Sequence, residues 1–171
     1  MSCLPVDNVR GTFPCMDTTR LLTAVEVTWE ALRARHPEVP AVIVRVDRTG
    51  RKHDLSYPDD LSTGPELPEL PVSPDTLQAG GQAVLHHLLH VAAHGLADTR
   101  EIKDTSQQNR RHNRRFLELG REVGMEWPNG QLAAPTTGYA DMTVTPDTVA
   151  TYSSYVVALD TVLADTDMSA L

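Results

Sequence analysis

Between Leu21 and Leu32 the apolar residues recur at helical spacing, with Leu21, Leu22, Ala24, Val25, Val27, Trp29 and Leu32 forming one broad face. Asp17 or Thr18 offers a cap and Pro37 and Pro40 close the stretch, so the pattern predicts a helix to about Arg35. At Ala41–Val46 the pattern becomes a short β-branched run. Asp47-Arg48-Thr49-Gly50 then reads as a turn into a weaker strand at Arg51–Tyr57, the two together a hairpin. Five prolines fall between Pro58 and Pro74, so 57–75 is expected to be an irregular Pro-rich loop inside one domain. Ser73-Pro74-Asp75 starts a helix that Gly80-Gly81 delays until about Gln82, and Ala83–Ala97 is apolar enough to be a buried helix. Asp104-Thr105-Ser106 offers caps for a helix from about Gln107 to Val123, ended by Gly124, whose inner stripe is His112, Phe116, Leu119 and Val123. Thr145-Pro146-Asp147 begins a last helix to about Leu163 that turns Val149, Tyr152, Val156, Leu159 and Leu163 inward. The expected organisation is an N-terminal extension over 1–16, a single domain over 17–164 and a frayed tail over 165–171. The fold class is α+β, a small antiparallel sheet packed by an N-terminal helix, the buried helix, a following helix and a C-terminal helix.

Composition narrows this picture without changing it. With 171 residues, 40% of them hydrophobic and 22% charged, the chain has the ordinary makeup of one globular domain. Its start, Met1-Ser2-Cys3-Leu4-Pro5-Val6-Asp7, has no basic or apolar leader, and no run reaches the roughly 18 apolar residues of a membrane span. A cytoplasmic location without membrane contact is expected. Cys3 and Cys15 are too few for a disulfide framework and read as free thiols. A net charge of −8 disfavours polyanionic partners, yet seven of the fifteen cations fall between Arg100 and Arg121. Arg110, Arg111, Arg114 and Arg115 in that run form either a solvated helix face or a phosphate-binding patch.

Five of the seven histidines lie between positions 86 and 112, a concentration that bears on chemistry. At 100° per residue His94 stands 40° from His90, one turn along the same helix face. Two such imidazoles can share one cation at about 2.0–2.1 Å, and a third ligand from a following helix leaves a tetrahedral position for water. His112 is the natural third ligand, because an imidazole on an apolar stripe needs a buried partner. Asp98, Glu101 and Asp104 follow the first pair, and Asp104 is the preferred acceptor for the second N–H of a ligand imidazole. His86, His36 and His53 read as local or exposed hydrogen-bonding residues, and Trp29 and Trp127 as core or staple residues.

The run Val84-Leu85-His86-His87-Leu88-Leu89-His90-Val91-Ala92-Ala93-His94-Gly95-Leu96-Ala97, with Ile102–Gln107 and His112-Asn113-Arg114-Arg115-Phe116, resembles the SprT-like zinc metallopeptidases. These are zincins with a His-Glu-x-x-His helix and a later third histidine in a His-Gly/Asn-x-x-Phe/Trp setting. The resemblance is specific over residues 82–127, about a quarter of the chain, and fainter over 21–46 and 138–159. It implies a zincin-like fold, zinc as cofactor, and His90, His94 and His112 as the ligands. Val91 occupies the place of the glutamate that takes a proton from the attacking water, and valine has no ionisable atom.

Three readings follow. The first is a zinc-binding SprT-like domain with lost or strongly reduced proteolysis, acting on or holding a protein or peptide. The second is a working zinc peptidase or hydrolase in which His87, one turn before Val91, or a carboxylate from another segment replaces the base. The third is a structural or protein-binding domain without metal, its histidines serving as core hydrogen-bonders. Relatives that act on DNA-bound proteins make a nucleic-acid partner conceivable through the arginine run, against the net charge.

Overall fold

The computed structural model describes residues 16–49, 54–56, 67–108 and 110–170. Helix α1 spans Met16–Arg35 and buries Leu21, Val25, Thr28, Trp29 and Leu32, positions one turn apart on a single stripe. Val27, expected on that face, points outward at 53% exposure. Trp29 closes the helix onto the following chain, its indole N–H donating to the Pro40 carbonyl at 3.0 Å.

Strand β1, Ile43–Val46, lies where the β-branched run placed it, but its partner is β2, Glu69–Val72, in parallel register from Ile43 opposite Glu69 to Val46 opposite Val72. The expected hairpin is therefore corrected. Arg51–His53 and Tyr57 lie outside the described residues, and Ser56 bridges antiparallel to Glu69 on the other edge of β2. The proline-rich loop is likewise interrupted by a strand that contains Pro71. Ile43 and Asp47 donate to the carbonyls of Pro68 and Val72, while Glu69 exchanges both hydrogen bonds with Ser56. Pro71, two residues from Glu69, faces that second edge too, so its missing N–H costs the β1 ladder nothing.

Ser73 caps the short helix α2, Pro74–Gln78, by accepting from the Thr76 N–H, and Gly80 at φ +97° redirects the chain. Helix α3, Gly81–Thr99, is the centre of the molecule. Val84, Leu85, Leu88, Leu89, Val91, Ala92, Ala93, Leu96 and Ala97 are all buried, because α1, α2, α4, α6 and β2 pack around it. Its first N–H is satisfied by Asp160 Oδ1 of α6 at 2.6 Å rather than by a local cap.

The helix expected from Gln107 is shorter and starts later. Strands β3, Thr105–Ser106, and β4, Arg111–His112, form an antiparallel hairpin whose turn holds Gln107 and Gln108 at φ +54° and +58°. Residues 107–112 have no apolar side chain to bury, so a helix there would gain nothing from packing. Asn113 is the cap instead, its Oδ1 accepting from Arg115 N–H at 2.8 Å and Phe116 N–H at 3.3 Å. Helix α4, Arg114–Glu122, then buries Phe116, Leu117, Leu119 and Gly120, and Gly124 ends it at φ +97° as expected.

Strands β5, Met125–Glu126, and β6, Thr143–Val144, pair antiparallel. Thr145 caps α5, Pro146–Thr151, and after a break at Tyr152 α6, Ser153–Asp165, lays Val156 and Leu159 into the core against α1 and α3. Beyond α6, Thr166 is buried and Met168–Ala170 form one 3₁₀ turn, with Met168 against the core. The architecture is α+β, with one parallel and two antiparallel strand pairs among the described residues in place of the expected single antiparallel sheet. No helix among the described residues is long and apolar enough to cross a membrane.

Candidate metal centre

The three histidines singled out by their spacing meet in space. His90 and His94, one turn apart on α3, point their Nε2 atoms at each other at 3.3 Å, and His94 Nε2 lies 3.0 Å from His112 Nε2. The three ligand atoms all fall within 4.8 Å of one another. Nitrogens held by one tetrahedral ion at 2.0–2.1 Å stand about 3.3 Å apart, so the two shorter separations already match shared coordination.

His112 arrives differently from the way the sequence pattern suggested. It sits on β4 rather than on a helix, held between two other segments of backbone. Its N–H donates to the Thr137 carbonyl at 3.0 Å, and its own carbonyl accepts from Tyr139 N–H at 3.1 Å. Gly138, at φ +65°, lets that loop come close, since a Cβ there would lie 1.9 Å from the His112 carbonyl oxygen. Asn113 secures the hairpin from below by donating its N–H to the Asp104 carbonyl and its side-chain amide to the Lys103 carbonyl. Phe116 forms the floor, its ring centroid 4.9, 4.7 and 4.3 Å from those of His90, His94 and His112.

Asp104 lies against the ring of His94. Its Oδ2 accepts from His94 Nδ1 at 2.5 Å, and both side chains are buried. With Nδ1–H donated to Asp104, Nε2 is the His94 nitrogen that faces the other two rings and the one left to bind a metal. Burial and the neighbouring imidazoles hold His90 down to about 2 and His112 down to about 4, so both are neutral with lone pairs available near pH 7. Burial also opposes charge on His94, but the Asp104 hydrogen bond and the carboxylates of Asp54, Asp104 and Asp98 together raise it. Three ring nitrogens that converge this closely could hold a cation, and a carboxylate-backed His94 marks where positive charge is welcome.

The two α3 positions weighed for proton transfer, 91 and 87, lie as follows. Val91 has no exposed surface. His87, the candidate substitute, has its Nε2 2.7 Å from the Pro71 carbonyl, to which it donates, so that nitrogen is committed to β2. His86 is held likewise by the Met142 carbonyl at 2.7 Å. Trp127 is half-buried against Tyr139, while Cys3, Cys15 and His53 lie outside the described residues. Arg110, Arg114 and Arg115 are exposed, and Arg111 donates to the Pro135 carbonyl at 3.2 Å.

One residue near the centre was not named from the sequence. Asp54 Oδ2 lies 3.5 Å from His94 Nε2, on the side of the ring facing the other histidines. Although 53% of its side chain is accessible, desolvation in the cleft raises its carboxyl above the usual range; Asp104 and Asp98 add to that and His94 opposes it. Asp54 and His94 share a cleft of about 490 Å³ with Asp98, Lys103 and Asp104. No local signal distinguishes Asp54, since a lone carboxylate after Lys52-His53 resembles any polar strand position. Comparison with family models, with curated proteins and with solved structures returned no match.

Proposed function

We propose that this chain is a zinc-binding protein of the SprT-like, zincin-like type whose proteolytic activity is lost or strongly reduced. The observation that carries the reading is the convergence of His90, His94 and His112 through their Nε2 atoms, with Asp104 fixing the His94 tautomer from behind. Three imidazoles suit zinc, and as a three-ligand set they leave a position for water or for a substrate carbonyl. When bound, the metal supplies Lewis acidity toward that oxygen. The chain's own residues do the rest: His94 is oriented by Asp104, His112 is held by β4 and the 137–139 backbone, and Phe116 keeps the floor dry.

The reduced activity follows from Val91, since loss of a general base costs about 10²–10⁴ in rate. A protein or peptide segment in the cleft beside His94 is the favoured partner, in a cytoplasmic setting. A nucleic-acid partner rests only on the exposed Arg110, Arg114 and Arg115, against a net charge of −8.

Metal content tests the reading. Protein purified without added metal and measured by inductively coupled plasma mass spectrometry should hold about one zinc per chain, which His90→Ala and His94→Ala each abolish. A protein free of zinc, with a melting temperature that neither zinc nor chelator moves, would leave a structural domain in its place. Casein cleavage by the native chain should be slow and should rise about 10²-fold or more in a folded Val91→Glu variant.

A further inference from the structure

Hydrolysis at this centre needs a group that can accept a proton from water on the ligand side of the three rings. Val91 offers none, and His87 Nε2 is bonded to β2. Asp104 is engaged at Nδ1 of His94, the opposite edge of the ring from the nitrogen that faces the cluster. Asp54 stands on the correct edge, its Oδ2 3.5 Å from His94 Nε2.

The placement of Asp54 is built into the fold. Ser56 and Glu69 exchange two backbone hydrogen bonds of 2.8 and 2.9 Å, which docks residues 54–56 along β2. Leu55 and Pro40 close over Gly95, the residue after His94; a Cβ at position 95 would lie 2.8 Å from Pro40 Cδ and 3.4 Å from Leu55 Cδ1. The absence of that Cβ lets the segment approach α3 beside His94. Among the described residues, the set of ligand atoms lying within 4.8 Å of one another contains the three histidines without Asp54. Its carboxylate thus flanks the ligand set instead of completing it, and it opens onto the cleft that a substrate would enter.

We propose that Asp54 is the proton acceptor for a water molecule held against the three-histidine centre, supplying from another segment of the chain the function that position 91 lacks. The proposal rests on the metal-centre reading above and specifies the chemistry left to it, a slow hydrolysis of peptide amides. The O–H bond of the water breaks and its proton passes to Asp54 Oδ2, while the oxygen electron pair forms a bond to the amide carbon. On collapse the C–N bond breaks, and the proton held by Asp54 passes to the leaving nitrogen. One water is consumed, and one carboxylic acid and one amine result.

The test uses the full chain loaded with cobalt(II), whose visible spectrum reports ligand exchange, and acetohydroxamic acid, which gives up its hydroxyl proton on binding a metal. Asp54→Asn should retain about one cobalt per chain yet bind acetohydroxamate about tenfold or more weakly, because the acceptor for that proton is gone. In the zinc form its cleavage of fluorescent casein should fall about 10²-fold, with Asp54→Glu recovering part of both losses. Acetohydroxamate binding equal to wild type in metal-loaded Asp54→Asn overturns the proposal. Loss of the metal from that variant does so too, by making Asp54 a ligand. If the wild-type chain itself binds neither zinc nor cobalt, the metal-centre reading fails and takes this proposal with it.

Discussion

The two sides of the histidine cluster differ in what stands behind the rings. His94 is flanked by carboxylates, Asp104 on Nδ1 and Asp54 on the Nε2 side. His90 has neighbouring imidazoles and the Phe116 ring, and His112 Nδ1 is buried with no hydrogen-bond partner among the described residues. The same side-chain type is therefore pushed in opposite directions within a few ångströms: His94 up, His90 and His112 down. The difference lies in the surroundings: carboxylates beside one imidazole favour its charged form, while burial among like rings keeps the other two neutral.

The largest effect on this arrangement is expected from Gly138→Ala. The new methyl group would collide with the His112 carbonyl at a backbone conformation alanine disfavours, so His112 must move and metal binding should fall below detection by calorimetry. Phe116→Ala removes the floor common to both sides and should destabilise the protein by about 3–5 kcal/mol in urea unfolding. Asp104→Asn erases the contrast itself, leaving His94 without its anionic partner. Metal affinity should drop about 10–100-fold while the metal-free fold is retained.

The metal-free protein offers a subtler probe. His90 and His112 stay unprotonated when folded but take up protons near pH 6.5 when unfolded, so they lower stability as pH falls from 6.5, His112 down to about 4 and His90 down to about 2. His94 acts oppositely: its raised value contributes stability below 6.5 that is lost as pH rises through the folded value. Asp104→Asn removes that contribution, so the stability that wild type gains in urea titrations as pH falls toward 6.5 should be diminished in the variant. The smallest effect is expected at Arg100, which pairs with Glu38 and bidentately with Glu122 at the surface; Arg100→Ala should lower the melting temperature only slightly, and less in high salt.

Much of the site was legible before any coordinates. The spacing of His90 and His94 places both on one face of any helix, whatever surrounds it, and Asp104 lies near enough in sequence to be weighed as their partner. The caps at Ser73 and Thr145 and the glycine ending α4 were also readable, because they act within a single turn of chain. The hairpin ahead of α4 was not, because Asp104-Thr105-Ser106 and Asn113 are both plausible caps and only the packing of Phe116, Leu117 and Leu119 chooses between them. Nor was the pairing of β1 with β2, where a proline argued against a strand that an open sheet edge in fact accommodates.

Local chemistry therefore determined that an imidazole pair exists, that its neighbour at position 91 cannot carry a proton, and where most helices begin. Tertiary structure alone decided that His112 approaches from a strand, that His87 turns toward β2, and that Asp54 comes to stand beside His94. Helix periodicity and capping act over a few residues and can be read from a string. A contact between residues forty positions apart depends on which surfaces bury each other best, and that is a property of the whole packed chain.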